Sequence, residues 1–128
     1  MGEIVKPVLN RFAAIALPAW WLAMSGVAVL ALMPIEHLQL PVFDWWDKAQ
    51  HALAFMVLTG WALLLWPNAA LRVALGMLVY GAGLELAQWV LGWRFAEWAD
   101  LAADALGVLV AMGFVSWLRP YLAAYIDS

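Results

Sequence analysis

Four apolar stretches of about 19–24 residues follow one another along a chain of 128 residues. At a rise of about 1.5 Å per residue, each stretch forms a helix of about 28–36 Å, which matches a hydrocarbon core of about 30 Å. A bilayer accepts such segments as helices, because its interior offers no water to satisfy the backbone. The sequence therefore predicts an all-α membrane protein, a bundle of four transmembrane helices in a single domain, residues 1–128. The predicted helices span residues 10–33, 47–66, 70–91 and 100–118. We expect Pro18 to interrupt the first helix, Gly92 to end the third and Pro120 to end the fourth.

The composition narrows the class of protein further. Hydrophobic residues make up 68% of the chain and charged residues 12%, which excludes an ordinary soluble domain. The chain has no cysteine, so disulfides, thiolate metal sites and a cysteine nucleophile are excluded. Its six basic residues are scattered, which argues against nucleic acid as a partner. The first apolar stretch, Phe12 to Met33, exceeds the roughly 7–15 residues of a signal-peptide core, so we expect it to be retained as a helix.

The distribution of Lys and Arg predicts the orientation. If the four stretches cross a membrane in succession, both termini and the loop after the second helix share one side. That side carries four basic residues: Lys6, Arg11, Arg72 and Arg119. The opposite side carries Lys48 and Arg94. Because cytoplasmic segments are enriched in basic residues, we expect both termini in the cytoplasm.

Ionisable residues share one face at the outer end of the second helix. Asp47 and His51 are four positions apart, and Lys48 and His51 are three apart, so a helix presents all three together. Charged side chains are costly within a membrane, where they usually face the bundle interior and mark a functional site or a specific partner. This face is therefore a candidate site.

The third and fourth helices carry polar residues at a similar depth. Glu85 and Gln88 share a face of the third helix, and Asp100 and Asp104 share a face of the fourth. The third helix ends, and the fourth begins, on the side where the second begins. We therefore expect His51, Glu85 and Asp104 to converge in one pocket near the outer surface.

Three sequence blocks occur in a fixed order. They are Asp47-Lys48-x-x-His51-x-x-x-Phe55, then Glu85-x-x-Gln88, then Arg94 followed by Asp100-x-x-x-Asp104-x-x-Gly107. Over about residues 44–113, this order resembles the VanZ-like family of small bacterial membrane proteins. Many members carry Asn where this chain has Asp104, so this site is the more acidic. The resemblance implies a multi-pass protein of the bacterial inner membrane with a role in the cell envelope, including glycopeptide resistance such as reduced susceptibility to teicoplanin.

The predicted pocket suits binding or catalysis. His51 beside an acid can act as a general base, with Glu85 or Asp104 as the acid, and we predict these three as catalytic residues. The predicted ligand-binding residues surround them: Asp47, Lys48, Gln88, Arg94 and Asp100. Of these, Lys48 and Arg94 would hold a phosphate or carboxylate at headgroup depth. Whether the protein only binds its ligand or also makes or breaks a covalent bond in it stays open.

We expect no cofactor and no resident metal. The imidazole and two carboxylates of His51, Glu85 and Asp104 are reasonable ligands for a divalent ion. No helix carries a closely spaced pair of histidines, however, so metal binding is the less favoured alternative. The expected partners are membrane lipid and a lipid-linked envelope precursor or a glycopeptide. Nucleic acid is excluded as a partner, and a homodimer is left open.

Two other functions stay open. A scaffold protein would use these polar residues only to pair with one another and to fix the helix register. A small proton-coupled transporter would use Glu85 and Asp104 as proton sites. Four-helix drug antiporters place their key acid in the first helix, whereas the first helix here has no ionisable residue between Arg11 and Met33. That difference argues against the transporter.

Overall fold

The computed structural model describes the backbone of residues 2–34, 44–92 and 97–126, and the side chains of residues 10–34, 47–92 and 97–124. Four α-helices make up the fold: α1 (Gly2–Leu32), α2 (Asp44–Leu65), α3 (Ala70–Leu91) and α4 (Trp98–Ile126). Each contains a segment long and apolar enough to cross a membrane, and the described residues form no strand. The predicted class, all-α with four membrane-length helices, is confirmed.

Three helices are longer than the sequence pattern predicted, α2 slightly and α1 and α4 by a wider margin. α1 begins at Gly2 rather than near residue 10, and α4 ends at Ile126 rather than near residue 118. The prediction that Pro120 ends the fourth helix was wrong, since Pro120 lies inside α4. α1 likewise continues through Pro18, which we had expected to interrupt it. Proline removes one backbone donor but keeps a helical φ, and membrane helices tolerate that loss.

The end of α3 follows the predicted stop. Gly92 adopts a left-handed conformation, with φ 78° and ψ −2°, and its N–H donates to the carbonyl of Gln88 at 3.1 Å. A residue with a β-carbon would be strained there. This cap fixes where α3 ends, and therefore how far Glu85 lies from that end.

Among the described residues, helices α2 and α4 share the most extensive contact, and Gly107 permits their close approach. A β-carbon at Gly107 would clash with the backbone carbonyl oxygen of Ala52 and lie 2.9 Å from the backbone nitrogen of Met56. The two backbones therefore touch at a position where only glycine fits. Small residues at helix crossings allow this approach in apolar surroundings.

Side-chain hydrogen bonds hold α1 against α2 and α3. The indole Nε1 of Trp20 donates to the carbonyl of Leu58 on α2 at 2.9 Å. The Tyr80 hydroxyl of α3 donates to the carbonyl of Met24 at 2.5 Å. Because both links lie within an apolar core, they fix the position of α1 more firmly than apolar packing alone.

The outward surfaces of the helices are apolar. Large side chains are exposed on all four helices, including Leu22, Val57, Trp89 and Leu109. An exposed apolar surface of this extent is unusual for a soluble monomer and is typical of contact with lipid or with another protein.

At the end of the bundle that carries the α2–α3 turn, a guanidinium N–H of Arg119 donates to the carbonyl of Pro67.

Candidate functional site

Three helices bring His51, Glu85 and Asp104 together at one end of the bundle. His51 lies in the second turn of α2, Asp104 lies in the second turn of α4, and Glu85 lies six residues before the end of α3. One ligand atom from each residue lies within 4.8 Å of the others. The predicted convergence of these three residues is confirmed. Their predicted catalytic roles stay predictions.

The shortest contact in this group joins His51 and Asp104. His51 Nδ1 lies 2.8 Å from Asp104 Oδ1, and the Asp104 side chain is almost completely buried. The chemistry of the pair favours a proton on Nδ1 that is donated to the carboxylate, which fixes the imidazole ring and its tautomer. Such a pair is the usual way to orient a histidine that acts as a base or as a ligand.

The space around Asp104 is created by a glycine on α3. A β-carbon at Gly81 would lie 2.8 Å from Asp104 Oδ2 and 3.2 Å from the ring of Phe55. Any larger residue would therefore displace the carboxylate or the ring. The glycine allows a charged group to reach a fully buried position between three helices.

Glu85 is held through only one of its oxygens. Its Oε2 accepts a hydrogen bond from the backbone N–H of Glu97, just before α4, at 3.1 Å. Its Oε1 is buried and has no hydrogen-bond partner among the described residues. Asp104 shows the same pattern, because its Oδ1 contacts His51 while its buried Oδ2 has none. A buried carboxylate oxygen without a donor is costly, so this arrangement calls for a proton, a cation or an ordered water.

A second group of residues lies next to the first and nearer the helix ends. Asp47, His51 and Asp100 also place one ligand atom each within 4.8 Å of one another. Here Lys48 supplies a positive charge, with its Nζ 3.0 Å from Glu97 Oε2 and 3.7 Å from Asp100 Oδ1. Lys48 is thus directed at two carboxylates, which weakens the prediction that it holds an anionic ligand.

One other predicted ligand-binding residue, Gln88, is placed differently. Gln88 is buried, and its Nε2 donates to the carbonyl of Ala31 on α1 at 2.9 Å, so its amide links α3 to α1. Arg94 lies outside the described residues. Our sequence interpretation missed Glu97, whose backbone holds Glu85 and whose side chain holds Lys48. Glu97 lies three residues before Asp100, and this spacing was the sequence feature from which its role in the site could have been predicted.

Comparison of the chain with protein families, curated proteins and solved structures finds no match.

Mutual pairing explains part of this cluster and leaves part unexplained. The contacts between His51 and Asp104 and between Lys48 and Glu97 are those that a scaffold would need. The second oxygens of Glu85 and Asp104 gain nothing from either contact. A scaffold would be built more cheaply from apolar residues, since an unsatisfied buried carboxylate destabilises the fold. The unpaired oxygens therefore favour a ligand.

Proposed function

We propose that this protein is a VanZ-like, multi-pass protein of the bacterial inner membrane, with both termini in the cytoplasm. In this proposal, its polar pocket opens to the outer side and binds or acts on a cell-envelope ligand, either a lipid-linked precursor or a glycopeptide. The order of the three sequence blocks supports the family, and the four membrane-length helices support the location.

One observation carries the proposal. The paired side chains of His51 and Asp104 lie beside Glu85 within an apolar bundle, and two carboxylate oxygens there have no donor within the described part of the chain. Ionisable groups inside a membrane bundle usually mark a site of binding or proton transfer. His51, oriented by Asp104, can take a proton from a bound hydroxyl group or water, and Glu85 can return one.

Replacing Glu85 by Gln tests the proposal, because it keeps the shape of the side chain and removes its ionisable proton. A teicoplanin-susceptible bacterium would express the wild-type chain, Glu85→Gln or an empty vector, with protein levels matched by immunoblot. We expect wild type to raise the inhibitory concentration of teicoplanin and Glu85→Gln to resemble the empty vector. Glu97→Gln is the matched control, since it neutralises an acid whose side chain pairs with Lys48 outside the group of three.

The scaffold is the competing function, and the ion pair between Lys48 and Glu97 favours it. A scaffold predicts that Glu85→Gln keeps the wild-type phenotype, because a neutral amide is cheaper to bury than a carboxylate. Full teicoplanin tolerance in a well-expressed Glu85→Gln variant would therefore reject the functional pocket.

A further inference from the structure

The spacing of His51, Glu85 and Asp104 matches the coordination sphere of a metal ion. One ligand atom from each lies within 4.8 Å of the others. In zinc and calcium sites, ligand distances of about 2.0–2.6 Å place two ligands on opposite sides of the ion about 4–5 Å apart. The three ligand atoms are therefore close enough together to bind one ion, and they come from three different helices.

The free oxygens of this group supply the second observation. Glu85 Oε1 and Asp104 Oδ2 are buried without a hydrogen-bond partner among the residues that the structure describes, and the two residues are 8% and 0% exposed. The other oxygen of each is already engaged, Glu85 Oε2 by the N–H of Glu97 and Asp104 Oδ1 by His51. For Glu85 this contact comes from outside the group, as do the outer contacts that orient metal ligands. His51 Nδ1 and Asp104 Oδ1, 2.8 Å apart, would bind the same ion by losing the proton between them, because a metal binds the deprotonated imidazole nitrogen.

We propose that His51, Glu85 and Asp104 bind a divalent transition-metal ion within the bundle. An imidazole beside two carboxylates favours Zn²⁺ or Mn²⁺ over Mg²⁺ and Ca²⁺, which prefer oxygen ligands alone. Three protein ligands leave coordination positions open for water or for an oxygen of a bound ligand, as in catalytic metal sites. The ion would supply the positive charge that Lys48, held by carboxylates, does not offer to an anionic ligand.

The neighbouring group of Asp47, His51 and Asp100 is the weaker candidate, although its spacing is similar. The ammonium of Lys48 lies 3.7 Å from Asp100 Oδ1, where it would repel a cation. The two groups also share His51, so we place the ion with Glu85 and Asp104, away from the contact between Lys48 and Asp100. The sequence expectation of no resident metal rested on the absence of a histidine pair, whereas this ligand set comes from three separate helices.

This inference rests on the pocket of the proposed function, and with an ion bound His51, Glu85 and Asp104 would hold the ion instead of exchanging protons with the ligand. Its test does not require activity. The full chain, free of any histidine tag, would be purified in mild detergent, stripped with a chelator and titrated with Zn²⁺, Mn²⁺ and Mg²⁺ by calorimetry. We expect one Zn²⁺ or Mn²⁺ per chain, much weaker binding of Mg²⁺, and a rise in melting temperature with the bound ion. Mass spectrometry would measure the metal content before stripping.

Two variants and two controls identify the ligands. Glu85→Gln removes a ligand charge, and Gly81→Ala displaces Asp104 Oδ2 without changing any charge. We expect each variant to weaken Zn²⁺ binding at least about tenfold. Changes to the groups around a metal ligand typically lower metal affinity by about 10–100-fold. Glu97→Gln keeps the backbone N–H that holds Glu85, and at Gly83 an added β-carbon meets nothing within 4 Å. Glu97→Gln and Gly83→Ala should therefore bind Zn²⁺ as wild type does.

The outcomes separate this inference from the proposed function. Absence of stoichiometric binding, or an equal loss of affinity in Glu97→Gln and Glu85→Gln, would overturn the metal site. Teicoplanin tolerance without metal binding would reject the metal while keeping the functional pocket. Metal binding that depends on Glu85, in a protein without any effect on teicoplanin susceptibility, would support the metal site and reject the envelope function.

Discussion

His51 on α2 and Asp104 on α4 meet at 2.8 Å, between Nδ1 and Oδ1, although 53 positions separate them in the sequence. Gly107, one turn beyond Asp104 on the same helix, lets the backbones of α2 and α4 touch. This close crossing brings the short Asp104 side chain within reach of the imidazole. The contact between the helices and the contact between the two side chains therefore depend on each other.

Removing the imidazole should destabilise the protein strongly. His51→Leu leaves the buried Asp104 carboxylate without its partner, and breaking a buried pair in this way typically costs about 3–5 kcal/mol. Asp104→Asn keeps an oxygen that accepts from the imidazole and removes the charge, so we expect stability equal to or above wild type. Denaturation of chelator-stripped protein in mild detergent measures both variants.

The double variant provides the control for that pair. In the Asp104→Asn background, His51→Leu strands a neutral amide instead of a carboxylate, so its cost should be clearly smaller than in the wild-type background. Equal costs in the two backgrounds would show that His51 and Asp104 do not interact energetically.

Gly107 should be the glycine on α4 that least tolerates substitution. An added methyl group would clash with the Ala52 carbonyl and crowd the Met56 nitrogen, both backbone atoms that cannot move aside alone. We expect Gly107→Ala to cost about 1–3 kcal/mol of unfolding free energy, the usual range for overpacking. Gly113→Ala is the matched control, because a β-carbon there meets nothing within 4 Å. Similar melting temperatures for the two variants would contradict the close crossing.

The convergence of His51, Glu85 and Asp104 was predictable because it needs only three facts. Helical spacing places each residue on a face of its helix, and the alternating direction of successive spans places all three at one end. The length of each apolar stretch then fixes their depth. The glycine that follows the third apolar stretch predicted the end of α3 at Gly92, where the left-handed conformation favours glycine.

The contacts of individual side chains were not predictable in this way. Residues three apart on a helix differ by about 60° around its axis, so Glu85 and Gln88 share a broad face yet contact different neighbours. Glu85 bonds to the start of α4, whereas Gln88 bonds to α1. Which neighbour each one meets depends on the rotation of the helices about their axes, and a single sequence does not determine that rotation. The role of Glu97 was missed because it depends on the packing of α3 against the start of α4.

Trp20 should contribute to stability through its indole nitrogen as well as through its size. Trp20→Phe removes the donor to the Leu58 carbonyl, a buried hydrogen bond for which we expect a loss of about 1 kcal/mol, with a further loss from the smaller ring. Trp89→Phe is the control, because Trp89 is 70% exposed on the outside of α3. Thermal unfolding in mild detergent should show a lower melting temperature for Trp20→Phe alone.

The orientation of the chain can be tested directly because the sequence contains no cysteine. Single cysteines would replace Glu97, at the end of the bundle that carries the polar pocket, and Asn68, in the exposed turn between α2 and α3 at the opposite end. Because basic residues favour the cytoplasmic side, we expect an impermeant thiol reagent to label position 97 in intact cells. Position 68 should react only after the membrane is opened. The reverse pattern would place the pocket in the cytoplasm, and His51, Glu85 and Asp104 could not then meet a ligand from the outer side of the membrane.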